Sequence, residues 1–382
     1  MKNIILPGNT IGILGGGQLG RMMALSAREM GFGIAVLEPN ESSPCGQVAD
    51  IEIVAAYDDL DGAKQLLNNC DVLTYEFENI DSQTANWLEE NGNLPQGSKL
   101  LTITQHRGKE KLAIEAVGIR VAPYYLVSSL EDLRDGVKKL GLPAVLKTCR
   151  GGYDGKGQFV IKSAEDLQKG YEELTSHGEL VLEKWLTFEK ELSVIVTRNP
   201  AGEAKTFPLA ENIHQNNILH MSIVPARVTT EIAAKAEEVA LHLANSFELV
   251  GTLAVEMFLT TEGEIYVNEV APRPHNSGHY TINACVTSQF DQHIRAICNW
   301  PLGHTDLLKP AVMVNILGEH LAKVLENIQH LSCAHLHLYG KAVAKKGRKM
   351  GHLTVLAETV EEALELVDSL QIWNEEKMEV SK

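Results

Sequence analysis

The sequence predicts an α/β protein, and three observations carry that expectation. The first hundred residues alternate short apolar runs with helical stretches, the pattern of a parallel sheet covered by helices. Nine residues from Arg150 to Gln158, four of them glycine, lie between two β-rich runs, Pro143–Lys147 and Phe159–Lys162. Further on, two apolar runs separated by Glu262-Gly263 read as an antiparallel hairpin with an acid on each arm. At 382 residues the chain is long for one core, so two to four packed units are expected.

Bulk composition narrows the partners. A formal charge of −16, from 50 acids against 34 bases, argues against nucleic-acid binding, which needs an extended cationic surface. Six cysteines form no C-x-x-C pair, the usage of a reduced compartment without disulfides. The opening run Ile4-Ile5-Leu6 stops at Pro7-Gly8, too short for a signal peptide, and nowhere do about eighteen apolar residues run together. The expectation is a cytoplasmic protein away from membranes.

In the first hundred residues, Ile11–Leu14 reads as a strand, Gly15-Gly-Gly-Gln18-Leu19-Gly20 as a tight turn, and Arg21–Met30 as a helix ended by Gly31. A second strand, Ile34–Leu37, delivers Glu38. Together these satisfy a dinucleotide fingerprint, G-x-G-x-x-G with an acid about twenty residues on. The same turn also occurs in doubly wound domains that hold no dinucleotide, and the chain shows no hydride-transfer constellation. Asp71–Tyr75 forms a third strand and brings Glu76-Phe-Glu78-Asn79 to the carboxyl edge, where parallel sheets place ligands. Gln18, Leu19 and Glu76 are candidates to hold part of a small polar substrate there. Asp81 or Ser82 caps the next helix.

Between 100 and 190, Gln105–Lys111 leads into a helix that ends near Gly118, followed by a strand over Val121–Val127. Ser129-Leu-Glu-Asp-Leu and Ser163-Ala-Glu-Asp-Leu each follow a strand and open a helix with a cap and early acids. They frame a small α/β lid around the glycine-rich loop. That loop can bring bare backbone N–H groups and two cations, Lys147 and Lys156, to a phosphate chain; a plain hairpin turning at Asp154-Gly155 is the alternative. It is not a Walker loop, because no glycine stands five residues before Gly155-Lys156, and Gly157 occupies the Ser/Thr position. The strand and linker Leu180–Leu186, with Glu183, Lys184, Trp185 and Leu186, suits an adenine, and Glu191 a ribose.

The late hairpin places Glu256 opposite Glu269, with Cβ atoms about 5 Å apart. Two such carboxylates repel unless a cation or a shared proton intervenes. Magnesium, which takes oxygen ligands, one or two carboxylates and phosphates, fits the first option, with Asn268 adding an oxygen; a proton-sharing pair is the second. The loop Ala271-Pro-Arg273-Pro-His275-Asn276-Ser-Gly-His279 continues that strand into the same site, making Arg273 and His275 candidates to touch reacting groups. Helix Thr230–Ser246 is scaffold. In the tail, Val312–Leu317 and Ala334–Leu338 read as strands and Thr359-Val-Glu-Glu362 opens a helix. His335-x-His337 shares a strand face but lacks a third ligand for zinc. Five cations, Lys341, Lys345, Lys346, Arg348 and Lys349, fall within nine residues and offer a phosphate site.

The strand, lysine, glycine-rich turn and returning strand resemble those of the ATP-grasp enzymes. More narrowly, Arg107, Lys147, Gly-Gly-Tyr-Asp-Gly-Lys-Gly-Gln (151–158), Glu-Leu-Ser (191–193), Asn-Glu-Val-Ala-Pro-Arg-Pro-His-Asn-Ser-Gly-His (268–279) and Gly-Arg-Lys-Met-Gly-His (347–352) resemble the 5-(carboxyamino)imidazole ribonucleotide synthetases of purine biosynthesis. The resemblance covers essentially the whole chain. One position departs: the family reads His-x-x-Gly-Ile-Leu where this chain has His214-Gln-Asn-Asn217-Ile-Leu.

The resemblance implies an ATP-grasp fold with an N-terminal Rossmann-like parallel-sheet domain over 1–100, an ATP-grasp domain over 101–300 (lid about 122–188, central part 189–300), and a small C-terminal α/β domain over 301–382. It implies ATP-dependent carboxylation of 5-aminoimidazole ribonucleotide by bicarbonate, through carboxyphosphate, in a homodimer. ATP is then met by Arg107, Lys147, Gly152, Tyr153, Asp154, Gly155, Lys156, Gly157, Gln158, Glu183–Leu186, Glu191, His214, Asn268 and Glu269. Glu256, Glu269 and Asn268 hold magnesium. The ribonucleotide meets Gln18, Leu19, Glu76, Tyr153, Asp154, Arg273, His275, Asn276, Lys341, Arg348 and Lys349, and the catalytic set is Arg273, His275, Asp154 and Lys147. The rival readings are another ATP-grasp ligase, such as a formate-using glycinamide ribonucleotide transformylase or a biotin carboxylase-like protein, an NAD-dependent oxidoreductase, and a nucleotide-sensing module.

Overall fold

The computed structural model describes residues 4–152 and 155–373. Its strands form three sheets, and the gap between the second and third creates the site. The first sheet is parallel, in the order Ile51–Val54, Gly33–Glu38, Thr10–Leu14, Val72–Tyr75. Both of its faces are apolar, as parallel strands require. On one, Ile11, Ile13, Ile34 and Val36 meet Met23 and, from far along the chain, Phe290 and Ile294. On the other, Leu14, Leu37 and Leu73 meet Leu66, Ala85 and Leu88. Helix Gln289–Ile297 thereby fastens the N-terminal sheet to the middle of the chain, and Ser26 donates to Asp291 at 2.6 Å.

The lid is a four-stranded antiparallel sheet, Tyr124–Val127, Leu180–Lys184, Ala144–Thr148, Gln158–Ile161, with helices Leu130–Leu140 and Asp166–Leu174 packed over it. The strand expected over Val121–Val127 is divided. Val121 bridges Val267 of the central sheet, and the lid strand begins only at Tyr124. Pro123 stands at the break, where a residue without an N–H cannot extend a ladder. Ser129 caps its helix as expected, but Ser163 does not; the helix there starts at Asp166, whose carboxylate accepts from the N–H groups of Lys162 and Ser163.

The central sheet has nine strands, running Ile265–Ala271, Gly251–Leu259, Lys190–Arg198, Ala210–Gln215, Ile218–Val224, Ala311–Leu317, Lys349–Leu356, Ala334–Leu338, with Ala204–Thr206 beside Lys190–Arg198. The C-terminal segment is a small α/β unit covered by helix Val360–Ser369, yet its strands do not form a sheet of their own. Ala311–Leu317 pairs with Ile218–Val224 and extends the central sheet, which relieves an otherwise open edge. Helix Thr230–Ser246 packs on the opposite end as scaffold.

The late hairpin contains two departures that cancel. Thr260 N–H bonds to Glu264 and Gly263 N–H to Thr260, so the loop is three residues, Thr261–Gly263, rather than two. A bulge then inserts Asn268, which restores Glu256 opposite Glu269. All six cysteines are free, and among the described residues no helix is long and apolar enough to cross a membrane.

Candidate active site

Two glycine-rich turns meet different fates. At the N-terminal turn, the protein's own carboxylates occupy the amides. Glu38 accepts from Gly16 N–H at 2.9 Å and from Tyr57 at 2.5 Å, while Glu76 accepts from Gly17 N–H and, at 2.6 Å, from Gly20 N–H. A side chain at Gly17 would stand 2.6 Å from Glu76 Oε1, so glycine is needed for that approach. Helix Gln18–Glu29 thus has its anion built in. This counts against the rival dinucleotide reading: the acid expected on a ribose and the amides expected on a pyrophosphate are bonded to each other. Glu76 is buried, and burial raises its pKa against the two amides that lower it.

The lid's glycine-rich turn faces instead a cavity of about 700 Å³ between the lid and the central sheet. Lys147 sits on its wall, held by Glu183 at 2.8 Å, with Lys111 3.2 Å from the same carboxylate. Burial raises the Glu183 pKa, but Lys111 and Lys147 outweigh it and bring it down to about 2. Lys147 is lowered by burial, with Arg107 and Lys111 adding like-charge repulsion that Glu183 opposes. Two lysines thus share one carboxylate, leaving positive charge facing the cavity. This modifies the expectation for Glu183: its carboxylate fixes Lys147 rather than facing an adenine.

Across the cavity lie the paired acids. Burial and the charge of Glu269 push Glu256 well above the usual carboxylate range. Glu269 is opposed by its own burial but bound by Arg107 at 3.0 Å and held down to about 2. Regular alternation would turn Asn268 away from Glu269. The bulge brings both to the cavity, and the Asn268 Oδ1 is buried without a hydrogen-bond partner. Two carboxylates and one orphaned carbonyl oxygen fit magnesium, whose remaining positions go to water and phosphate. Among the described residues no group of three His, Cys, Asp or Glu side chains is placed to share a metal ion.

Arg273 is clamped by Glu78 at 2.7 Å and borders the cavity with His275. His275 is driven well below its usual pKa by burial and then by Arg273. Its Nδ1 accepts from Ser277 N–H at 3.3 Å, which places the proton of the neutral ring on Nε2, 3.8 Å from Glu256. His275 is therefore a hydrogen-bond donor toward the acids. His214 Nδ1 lies 3.0 Å from Glu191, tying two expected nucleotide contacts together.

Of the candidate residues, Arg107, Lys147, Gly152, Gly155, Lys156, Gly157, Gln158, Glu183–Leu186, Glu191, His214, Glu256, Asn268, Glu269, Arg273, His275, Asn276 and Lys349 all border this one cavity. Gln18, Leu19, Glu76, Lys341 and Arg348 do not; Arg348 donates to Val343 O and Lys341 to Lys349 O. Tyr153 and Asp154 lie outside the described residues. His337 stacks on His352 with ring centroids 4.6 Å apart, and its Nε2 lies 2.8 Å from Asn283 Oδ1. The sequence reading missed Glu110 and Lys111, polar residues on a helix otherwise read as a simple lead-in, and the stacked Phe188 and Phe258 at the cavity edge.

Asn217 explains its own departure. Its φ is +62°, a left-handed conformation that glycine adopts freely and asparagine tolerates best among other residues. Its side chain packs against Gly155 of the lid turn, where a Cβ would lie 2.6 Å from Asn217 Nδ2. Gly155 itself has φ +78°.

A lid hairpin closing over a cation-lined cavity, opposite paired acids on a central antiparallel sheet, defines an ATP-grasp ligase. The ATP-grasp domain family matches residues 112–290, the ribonucleotide synthetase preATP-grasp domain residues 8–105, and the phosphoribosylaminoimidazole carboxylase C-terminal domain residues 311–366. An N5-carboxyaminoimidazole ribonucleotide synthase of Bacillus subtilis is 57% identical over 361 residues, covering 94% of this chain and 95% of that protein. A Staphylococcus aureus protein of the same name is 46% identical, covering 92% and 94%. Among solved structures, an N5-carboxyaminoimidazole ribonucleotide synthetase with ADP superposes with TM-score 0.96 at 60% identity, covering 99% and 100% of the two chains. An Aspergillus clavatus enzyme in complex with ADP and 5-aminoimidazole ribonucleotide gives 0.90 at 32% identity, covering 96% and 99%. The chain belongs to the N5-carboxyaminoimidazole ribonucleotide synthase family.

Proposed function

We propose that this chain carries out the reaction of its family: ATP, bicarbonate and 5-aminoimidazole ribonucleotide give N5-carboxyaminoimidazole ribonucleotide, ADP and phosphate in purine biosynthesis. The observation that supports it most is the single cavity in which Lys147, Arg273, His275 and the Glu256–Asn268–Glu269 set face one another. ATP lies under the lid, with its phosphates against Lys147, Lys156 and the backbone of Gly155–Gln158. Its base lies by Lys184–Leu186 and its ribose by Glu191 and His214. Glu256, Asn268 and Glu269 hold magnesium, which when bound neutralises phosphate charge.

A bicarbonate oxygen attacks the γ-phosphorus as the bond to the ADP oxygen breaks, giving carboxyphosphate. Such transfers need positioning and charge neutralisation above all. Lys147 is held in place by Glu183 and Arg273 by Glu78, so neither needs to reorganise. Neutral His275 donates from Nε2 to an anionic oxygen. The exocyclic amine of the imidazole nucleotide then attacks the carboxyl carbon, phosphate departs and the amine loses a proton. Gln18, Leu19, Glu76, Tyr153, Asp154, Asn276, Lys341, Arg348 and Lys349 hold that nucleotide, with the cations Lys341, Arg348 and Lys349 reaching its sugar phosphate. The units span about 1–100, 101–300 and 301–382, and the enzyme works as a cytoplasmic homodimer.

The test is ADP release from ATP, magnesium and bicarbonate, with and without 5-aminoimidazole ribonucleotide, alongside glycinamide ribonucleotide plus formate. Strong stimulation by the imidazole nucleotide alone is expected. Stimulation by the glycinamide pair instead overturns the acceptor assignment.

A further inference from the structure

The edge strand Ile265–Ala271 pairs on one side with Gly251–Leu259, leaving its other side to find hydrogen-bond acceptors elsewhere. Val267 N–H points outward and donates to Arg120 O at 2.8 Å. In a regular strand the next outward N–H would be that of Glu269. The bulge at Asn268 shifts the parity, so the outward N–H is that of Val270, and it donates to Glu110 Oε1 at 2.7 Å. Glu110 is 3% exposed and lies on helix Arg107–Ala116, one turn from Arg107. The same helix face therefore grips this strand twice, through the Glu269 side chain and through the next backbone amide.

We propose that Glu110 is a positioning residue that locks the bulge, so that Asn268 and Glu269 turn together toward Glu256. The inference rests on the reading of those three residues as the magnesium site. With no acceptor at 110, the Val270 amide is buried and unpaired, and the strand gains by slipping back toward regular pairing, which turns Asn268 away.

The test uses the full-length protein and Mn²⁺ as the probe, titrated by electron paramagnetic resonance with saturating ADP, together with amide exchange over 265–271 in metal-free protein. Glu110→Ala is expected to weaken Mn²⁺ about ten- to a hundred-fold and to speed Val270 exchange, while KM for the imidazole nucleotide moves little. Glu110→Gln, which keeps the acceptor, restores both. Should Glu110→Ala fail to fold, Glu110→Asp, one methylene too short, replaces it. Wild-type Mn²⁺ affinity in Glu110→Ala or Glu110→Asp, with binding lost in Glu269→Gln, overturns the positioning role alone. Unchanged binding in Glu269→Gln overturns the metal site and this inference with it.

Discussion

The two glycine-rich turns, residues 15–20 and 151–158, look alike in sequence and differ in what their surroundings supply. Around the first stand acids: Glu38 and Glu76 reach the turn's own amides and fill them. Around the second stand cations, with Lys147 and Lys156 bordering the cavity and Glu183 committed to the lysines beneath. An exposed run of amides is only half of a phosphate site; the sign of the nearest buried charge decides whether the site is open.

The largest effect that tests this contrast lies under the open turn. Glu183→Gln leaves Lys147 and Lys111 buried without a counter-charge and is expected to cost about 3–5 kcal/mol in denaturant unfolding. A loss below about 1 kcal/mol would show that the triad is not what fixes Lys147. At the closed turn, Glu76→Gln replaces a charged acceptor by a neutral one and is expected to cost about 1–3 kcal/mol while leaving the affinity for MgATP unchanged. Weakened MgATP binding there would erase the distinction between the turns.

A pH effect separates the cavity's acids from the rest. Burial, and then Glu269, push Glu110 up to about 8 from 4.5. A carboxyl raised on folding favours the fold fully below its unfolded pKa and loses that contribution as pH rises through its folded pKa. Wild type is therefore expected to lose about 1–3 kcal/mol relative to Glu110→Gln between pH 5 and 8.5, read by unfolding at the two pH values. Parallel curves would place Glu110 among ordinary solvated acids. The smallest effect belongs to Asn217→Gly, where relief of the left-handed backbone offsets the freer unfolded chain, so unfolding stability is expected to change by less than about 0.5 kcal/mol while contact with Gly155 loosens.

Much of this was legible in the sequence because local rules decided it. Strand–turn–helix alternation marked the parallel sheet, helix Thr230–Ser246 was marked by its periodicity, and the acids at 256 and 269 fell opposite each other. That last success combined a loop read one residue too short with a bulge that sequence pattern does not reveal. The C-terminal strands looked like a separate unit because sheet continuity is a long-range property, settled by which edge needs a partner. The contacts that Glu76 and Glu183 make inside the protein were not legible, because sequence shows an acid's presence and not its partner; the partners, Gly17, Gly20 and Lys147, lie 59, 56 and 36 residues away. Glu110 was overlooked for the same reason, since the amide it holds lies 160 residues downstream.

The most direct test of the contrast is amide hydrogen exchange of the whole protein on adding ATP and magnesium without the imidazole nucleotide. Protection is expected across 150–158 and 182–186, with residues 15–20 unchanged because their amides are already bonded to Glu38 and Glu76. New protection at 15–20, with 150–158 unaffected, would contradict the account and return the phosphate site to the N-terminal turn.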